Sequence, residues 1–171
     1  TVLLGLVLIQ VFYLVLLIFI AKVNPLGFLR KVRNVQLLAF STSSSASVMP
    51  LTIETAEKEF SVKPSIAQFV IPLGTTVNMD GTAMYQGVAT IFLAQVFGVD
   101  LSIASLALLV ATSVAASIGA PSAPGVGMVI LATVLQTVGV PPAGIALVIS
   151  VDRILDMSRT AVNVTGDITA S

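Results

Sequence analysis

Residues 152–167 read Asp-Arg-Ile-Leu-Asp-Met-Ser-Arg-Thr-Ala-Val-Asn-Val-Thr-Gly-Asp, with three carboxylates and two guanidinium groups, in a chain that is 56% hydrophobic and 9% charged. At a helical rotation of about 100° per residue, Asp152, Asp156, Arg159, Asn163 and Asp167 fall within about 80° of arc. Ile154, Met157, Ala161, Val164 and Ile168 take the opposite face. An ionised side chain at the centre of a lipid-facing helix costs on the order of 2.5 to 3.5 kcal/mol, so the stripe would cost about 10 kcal/mol if it met acyl chains. It must face protein, water or a ligand. Arg159 carries a planar fork that matches a carboxylate bidentately and keeps its charge. Asp156, nearly one turn earlier, is suited to an ammonium group, so the pair reads as a receptor for an amino acid with an acidic side chain. The plainer alternative is an i, i+3 pair that only holds helices together. Arg153 lies off the stripe.

Outward from this helix the chain reads as membrane-embedded. It has 171 residues and a mean hydropathy of +1.06. Val2 to Ala21 is apolar except for Gln10 and Tyr13, long enough for one crossing of a hydrocarbon core of about 30 Å. That run lacks the basic start of a cleaved leader and exceeds the length of its apolar core, and a chain opening on Thr1 is expected to start within a longer protein. The sequence contains no Cys and no His, which excludes disulfides, thiolate or imidazole metal centres and the corresponding catalysis. Net charge is zero, which leaves no basic face for nucleic acid. Ser43–Ser45 has no His or membrane-depth Lys beside it to act as a base, so a serine hydrolase is not expected.

Breaks recur along the chain. Lys22, Arg30, Lys31 and Arg33 precede, and Lys58 and Lys63 follow, an apolar stretch centred on the serine run 41–47, which suggests a segment that dips in and returns to the basic, cytoplasmic side. Pro50 suits a second arm with an irregular start. Residues 65–98 are apolar at both ends and interrupted by Gly74-Thr75-Thr76-Val77-Asn78-Met79-Asp80-Gly81-Thr82, which predicts two half-helices. Residues 102–138 carry a second turn, 117–127, with three glycines and two prolines in its last nine residues that cannot continue a helix. Two full spans over 103–120 and 127–149 are the competing reading. The loops 97–102 and 139–145 lack Lys and Arg, as outside loops do. Recurrent broken segments point to a binding site near the midplane. Asn78, Asp80, Asn163 and Asp167, with backbone carbonyls freed at the breaks, form an oxygen-only set suited to a hard cation such as sodium.

In this order, the segments resemble the glutamate/aspartate symporters, also described as dicarboxylate/amino acid:cation symporters. The resemblance covers nearly the whole chain. It rests on Ser41–Ala46, on Asn78-Met79-Asp80-Gly81-Thr82, on Ser117-Ile118-Gly119 and above all on the run Asp156 to Asp167. It implies an all-α integral membrane fold: a transport domain with two re-entrant helical hairpins, one broken transmembrane helix and flanking full spans. The divisions are a transmembrane helix at 1–22, a first hairpin at 25–60, the broken helix at 65–98, a second hairpin at 102–138 and the polar-striped helix at 144–171.

Substrate residues implied by the resemblance are Ser44, Ser45, Thr82, Ala123, Gly127, Asp156, Arg159, Thr160 and Asn163. It also implies three cation sites: Gly74, Asn78, Asn163 and Asp167; then Thr76 with the backbone of Ser117, Ile118 and Ala120; then Asn78 and Asp80, completed by an earlier helix outside this sequence. Expected partners are an acidic amino acid, sodium ions or alternatively protons, the lipid bilayer of the plasma or inner membrane, and a homotrimer built through a scaffold outside this sequence. The implied activity is uptake by an elevator motion, with no chemistry on the substrate. A carrier of dicarboxylates lacking an amino group, and a gated channel or sensor subunit, are the alternatives. Archaeal members carry an arginine at the position of Thr42, and Arg153 is expected to replace it near the first hairpin.

Overall fold

A computed structural model describes residues 1–171, and every regular element in it is helical. Helix α1 (Val2–Leu16) runs into a π-helical turn, Leu17–Ala21. Asn24 then caps α2 (Pro25–Thr42), its side chain accepting from the amides of Leu26 and Gly27, with Pro25 in the first turn where no N–H is missed. Ser43, left-handed at φ 53°, ends α2, and the extended Ser44 starts α3 (Ser45–Phe60) by accepting from the Ser47 amide. Pro50 lies inside α3 rather than at its start, so the second arm begins as a regular helix five residues earlier than its proline.

Helix α4 (Pro64–Val77) stops at Asn78, and α5 (Asp80–Phe97) resumes after Met79. This interruption is two residues long. Helices α6 (Ile103–Ser117) and α7 (Val126–Thr137) are separated by the irregular segment 118–125, in which Gly119 and Gly125 adopt φ of 77° and 81°, values that side chains with a Cβ resist. A 3-10 turn at Pro142–Gly144 leads into α8 (Ile145–Ala170). A single helix over 127–149 is thereby ruled out: the chain leaves helical geometry at Val138, and Gly139 turns at φ 74°. At 15 and 12 residues, α6 and α7 are also each shorter than a bilayer core of about 30 Å requires.

Helix α8 is the axis of the fold and packs against α1, α2, α3, α4, α5 and α7. Its C-terminal half is buried nearly all round, from Arg159 to Ile168, with Val164 and Ile168 joined to Phe28, Val32 and Val35 of α2 and Val48 of α3. A second core gathers Tyr85 and Leu93 of α5, Leu131 and Leu135 of α7, and Val148 of α8. Large apolar side chains cover the outside, including Leu4, Leu8 and Phe12 of α1, Val110 of α6, Val129 of α7 and Ile154 of α8. An apolar exterior of this extent marks a surface made for lipid or for other helices. Val2–Ala21 is the one helix both long and apolar enough to cross a bilayer.

Candidate substrate and cation site

All five residues of the polar stripe are buried: Asp152, Asp156, Arg159, Asn163 and Asp167. The three chain breaks converge beside them. At the first break the Ser44 hydroxyl donates to the Ser122 carbonyl in the third, over 2.7 Å. The Ser122 hydroxyl in turn donates to the Thr75 carbonyl beside the second, and the Gly119 amide donates to the Thr76 carbonyl at 2.7 Å. Gly125 N–H donates to Asp156 Oδ2 at 3.1 Å, and Gly81 N–H to Asn163 Oδ1 at 2.8 Å. Segments far apart in sequence are thus joined through main-chain groups that helix interruption leaves free.

Ser45, Thr82, Ala123, Gly127, Asp156, Thr160 and Asn163 line one cavity of about 20 Å³ between the turns and α8. Such a volume suits about one water, so a larger guest requires the walls of the cavity to move apart. Ser44 and Arg159 lie outside that lining. Ser44 caps α3 and holds Ser122. Arg159, 1% exposed, donates through Nη2 to Asp156 Oδ1 at 2.8 Å and Asp152 Oδ1 at 3.2 Å, and its guanidinium carbon lies 3.9 Å from the Tyr85 ring centre. Its Nε and Nη1 are buried without a hydrogen-bond partner. Unmet donors on a buried cation are costly, and a bound carboxylate would satisfy them.

Gly127, which lines the cavity, lies directly against Arg159: a Cβ there would stand 2.8 Å from Nη2 and 3.3 Å from Cζ. Because Asp152, Asp156 and Tyr85 pin the guanidinium, it cannot step aside freely. Gly127→Ala is therefore expected to weaken binding of an acidic amino acid about tenfold or more, the range of a small-to-large change in a packed site, checked by a binding isotherm for aspartate.

Among the cation candidates, Asp167 is 1% exposed and forms no ion pair; its Oδ1 accepts only the Asn78 amide, at 3.0 Å. A buried carboxylate with no positive partner is the donor chemistry a sodium ion answers. Gly74 lies directly against it, since a Cβ there would meet Asp167 Oδ1. The Asn163 carbonyl receives the Asn78 side chain at 3.3 Å. In the second set, the Thr76 carbonyl is engaged by Gly119 N–H and the Ser117 carbonyl by Ala120 N–H, each with a lone pair to spare; Ala120 is buried and Ile118 exposed. Asp80 Oδ2 accepts from the Tyr13 hydroxyl at 2.7 Å. These residues fit sodium as an oxygen-ligated cation.

Arg153 is exposed and forms neither an ion pair nor a side-chain hydrogen bond, so no polar bond ties it to the serine turn, contrary to the expectation for it. Four residues escaped the sequence reading: Tyr13, Tyr85, Asp152 as the second partner of Arg159, and Gln86, whose Nε2 donates to the Gly127 carbonyl at 2.8 Å. A tyrosine in a span otherwise apolar but for Gln10, and an amide one turn beyond Thr82, were the available signals.

The model of the sodium:dicarboxylate symporter family matches residues 1–171. The chain is 44% identical over 172 residues to excitatory amino acid transporter 5 of Homo sapiens, covering 100% of this chain and 31% of that protein. It is 44% identical over 168 residues to excitatory amino acid transporter 3 of Mus musculus, covering 98% and 32%. Against the proton/sodium-glutamate symport protein of Bacillus subtilis (strain 168) it is 42% identical over 174 residues, covering 99% and 40%. The chain therefore spans about a third of the length of the curated relatives it matches.

Proposed function

Because the chain belongs to the sodium:dicarboxylate symporter family, we propose that it carries the substrate and cation sites of a secondary active symporter that takes up aspartate or glutamate with sodium. The observation that carries this reading is Arg159, a buried guanidinium with two unpartnered nitrogens behind a polar cavity. In this reading Nε and Nη1 receive the side-chain carboxylate. Asp156 receives the amino group, Thr82, Thr160 and Asn163 supply hydroxyl and amide contacts, and the turns around Ser44–Ser45 and Ala123–Gly127 close over the guest. Gly74, Asn78, Asn163 and Asp167 would hold one cation; Thr76, Ser117, Ile118 and Ala120 a second; Asn78 and Asp80 a third. Bound sodium supplies positive charge to the buried carboxylate of Asp167 and to the exposed one of Asp80.

The helix pairs α2–α3 and α6–α7 enter the membrane as re-entrant hairpins, α4–α5 is a broken span, and α1 and α8 are flanking spans of one transport domain in the plasma or inner membrane. The segment 118–125 acts as the gate. Its hydrogen bonds to Ser44, Thr75, Thr76 and Asp156 are each worth about 0.5 to 1.5 kcal/mol net, firm enough to hold it shut and weak enough for a ligand to reorder. The loaded domain then moves as an elevator against a trimeric scaffold. A second reading draws on Asp156, whose two oxygens are already engaged by Arg159 and Gly125: dicarboxylates without an amino group would leave that arrangement undisturbed, with protons as the driving ion.

Uptake of labelled aspartate into proteoliposomes, driven separately by sodium and proton gradients and challenged with succinate, tests both. Sodium-driven aspartate uptake resistant to succinate is expected. Proton-driven uptake inhibited by succinate selects the second reading.

A further inference from the structure

Tyr13 is one of two polar side chains in the apolar run Val2–Ala21, and it is 5% exposed. A buried phenol hydroxyl needs a partner. It finds one 67 residues away, donating to Asp80 Oδ2 at 2.7 Å, a hydrogen bond of the strong charge-assisted class. Asp80 is the first residue of α5, is exposed, forms no ion pair, and accepts through Oδ2 alone, which leaves Oδ1 open on the accessible side. The same hydroxyl lies against α8: a Cβ at Gly166 would stand 2.5 Å from Tyr13 Oη and close upon Asn78 Nδ2. That Asn78 amide is the one held by Asp167.

Resting on the reading that Asn78, Asp80 and Asp167 serve cations, we propose that Tyr13 is a positioning residue for that cation cluster, its hydroxyl fixing the Asp80 carboxylate from the neighbouring helix α1 so that Oδ1 stays free for a cation. Tyr13→Phe removes one oxygen and keeps the ring that packs with Leu6 and Val162, so the fold is retained.

The test uses the complete polypeptide that carries this sequence, purified in detergent without substrate. The thermal unfolding midpoint is titrated with sodium chloride against choline chloride at constant ionic strength, for wild type, Tyr13→Phe, Asp80→Asn and the double variant. Tyr13→Phe is expected to raise the sodium concentration for half-maximal stabilisation about tenfold, equivalent to about 1.4 kcal/mol, and to add no further shift in the Asp80→Asn background. A uniform fall in midpoint with unchanged half-saturation, or additive shifts, overturns the proposal while the cation reading survives. A wild type indifferent to sodium overturns both.

Discussion

Arg159→Ala is expected to abolish tight binding of acidic amino acids while neutral amino acids still bind. The guanidinium is 1% exposed and forms ion pairs with Asp152 and Asp156, and its two remaining nitrogens have no other acceptor. Withdrawing it removes the one buried cation beside the cavity, the group proposed to receive the substrate's side-chain carboxylate. A buried, hydrogen-bonded charge pair broken on one side costs about 3 to 5 kcal/mol, or at least about a hundredfold in affinity. The variant should also unfold more easily, because two buried carboxylates lose their counter-charge. Arg159→Lys separates charge from shape: it restores much of the stability, and it restores little acidic affinity because an ammonium lacks the planar fork. Competition of aspartate and of alanine for the same site reads the effect, and unchanged aspartate affinity refutes the assignment.

Asp167→Asn should act in the opposite direction on stability. Its carboxylate is buried against Gly74 and the Asn78 amide with no cation nearby. Neutralising such a group at constant shape is expected to stabilise the sodium-free protein by about 1 to 3 kcal/mol, the cost of a buried polar group without adequate partners, with Asn78 still able to donate to the new amide oxygen. The same change should remove the response to sodium. Unfolding midpoints with and without sodium therefore cross over between wild type and variant. Were sodium to stabilise the variant as much as the wild type, Asp167 would not be a cation ligand.

The legible parts of this fold are those encoded by local pattern. Gly119, Pro121, Pro124 and Gly125 forbid helix, and the chain is irregular there; Gly74 to Asn78 marks the end of α4. The polar stripe of α8 follows from rotation per residue, and all five of its members are buried. What the pattern could not supply is pairing at a distance. Tyr13 finds Asp80, Gln86 finds Gly127, and Arg159 lies on Tyr85, each through a packing of helices that neither partner's neighbourhood encodes. One proline misled: Pro50, expected at an irregular start of the second arm, is inside α3, where tertiary packing offsets the lost backbone bond. The two-faced reading of α8 was also too simple, since its C-terminal half has neighbours on every side.

Much of what ties the chain breaks to one another and to α8 belongs to the peptide backbone: the amides of Gly81, Gly119 and Gly125 and the carbonyls of Thr75, Thr76 and Ser122. Systematic alanine replacement would walk past these groups, because every amino acid except proline offers the same N–H and C=O. Amide-to-ester exchange at Gly119 or Gly125 deletes a single donor and leaves each side chain intact. It is the perturbation to which this architecture is most exposed, and ordinary variant libraries never sample it.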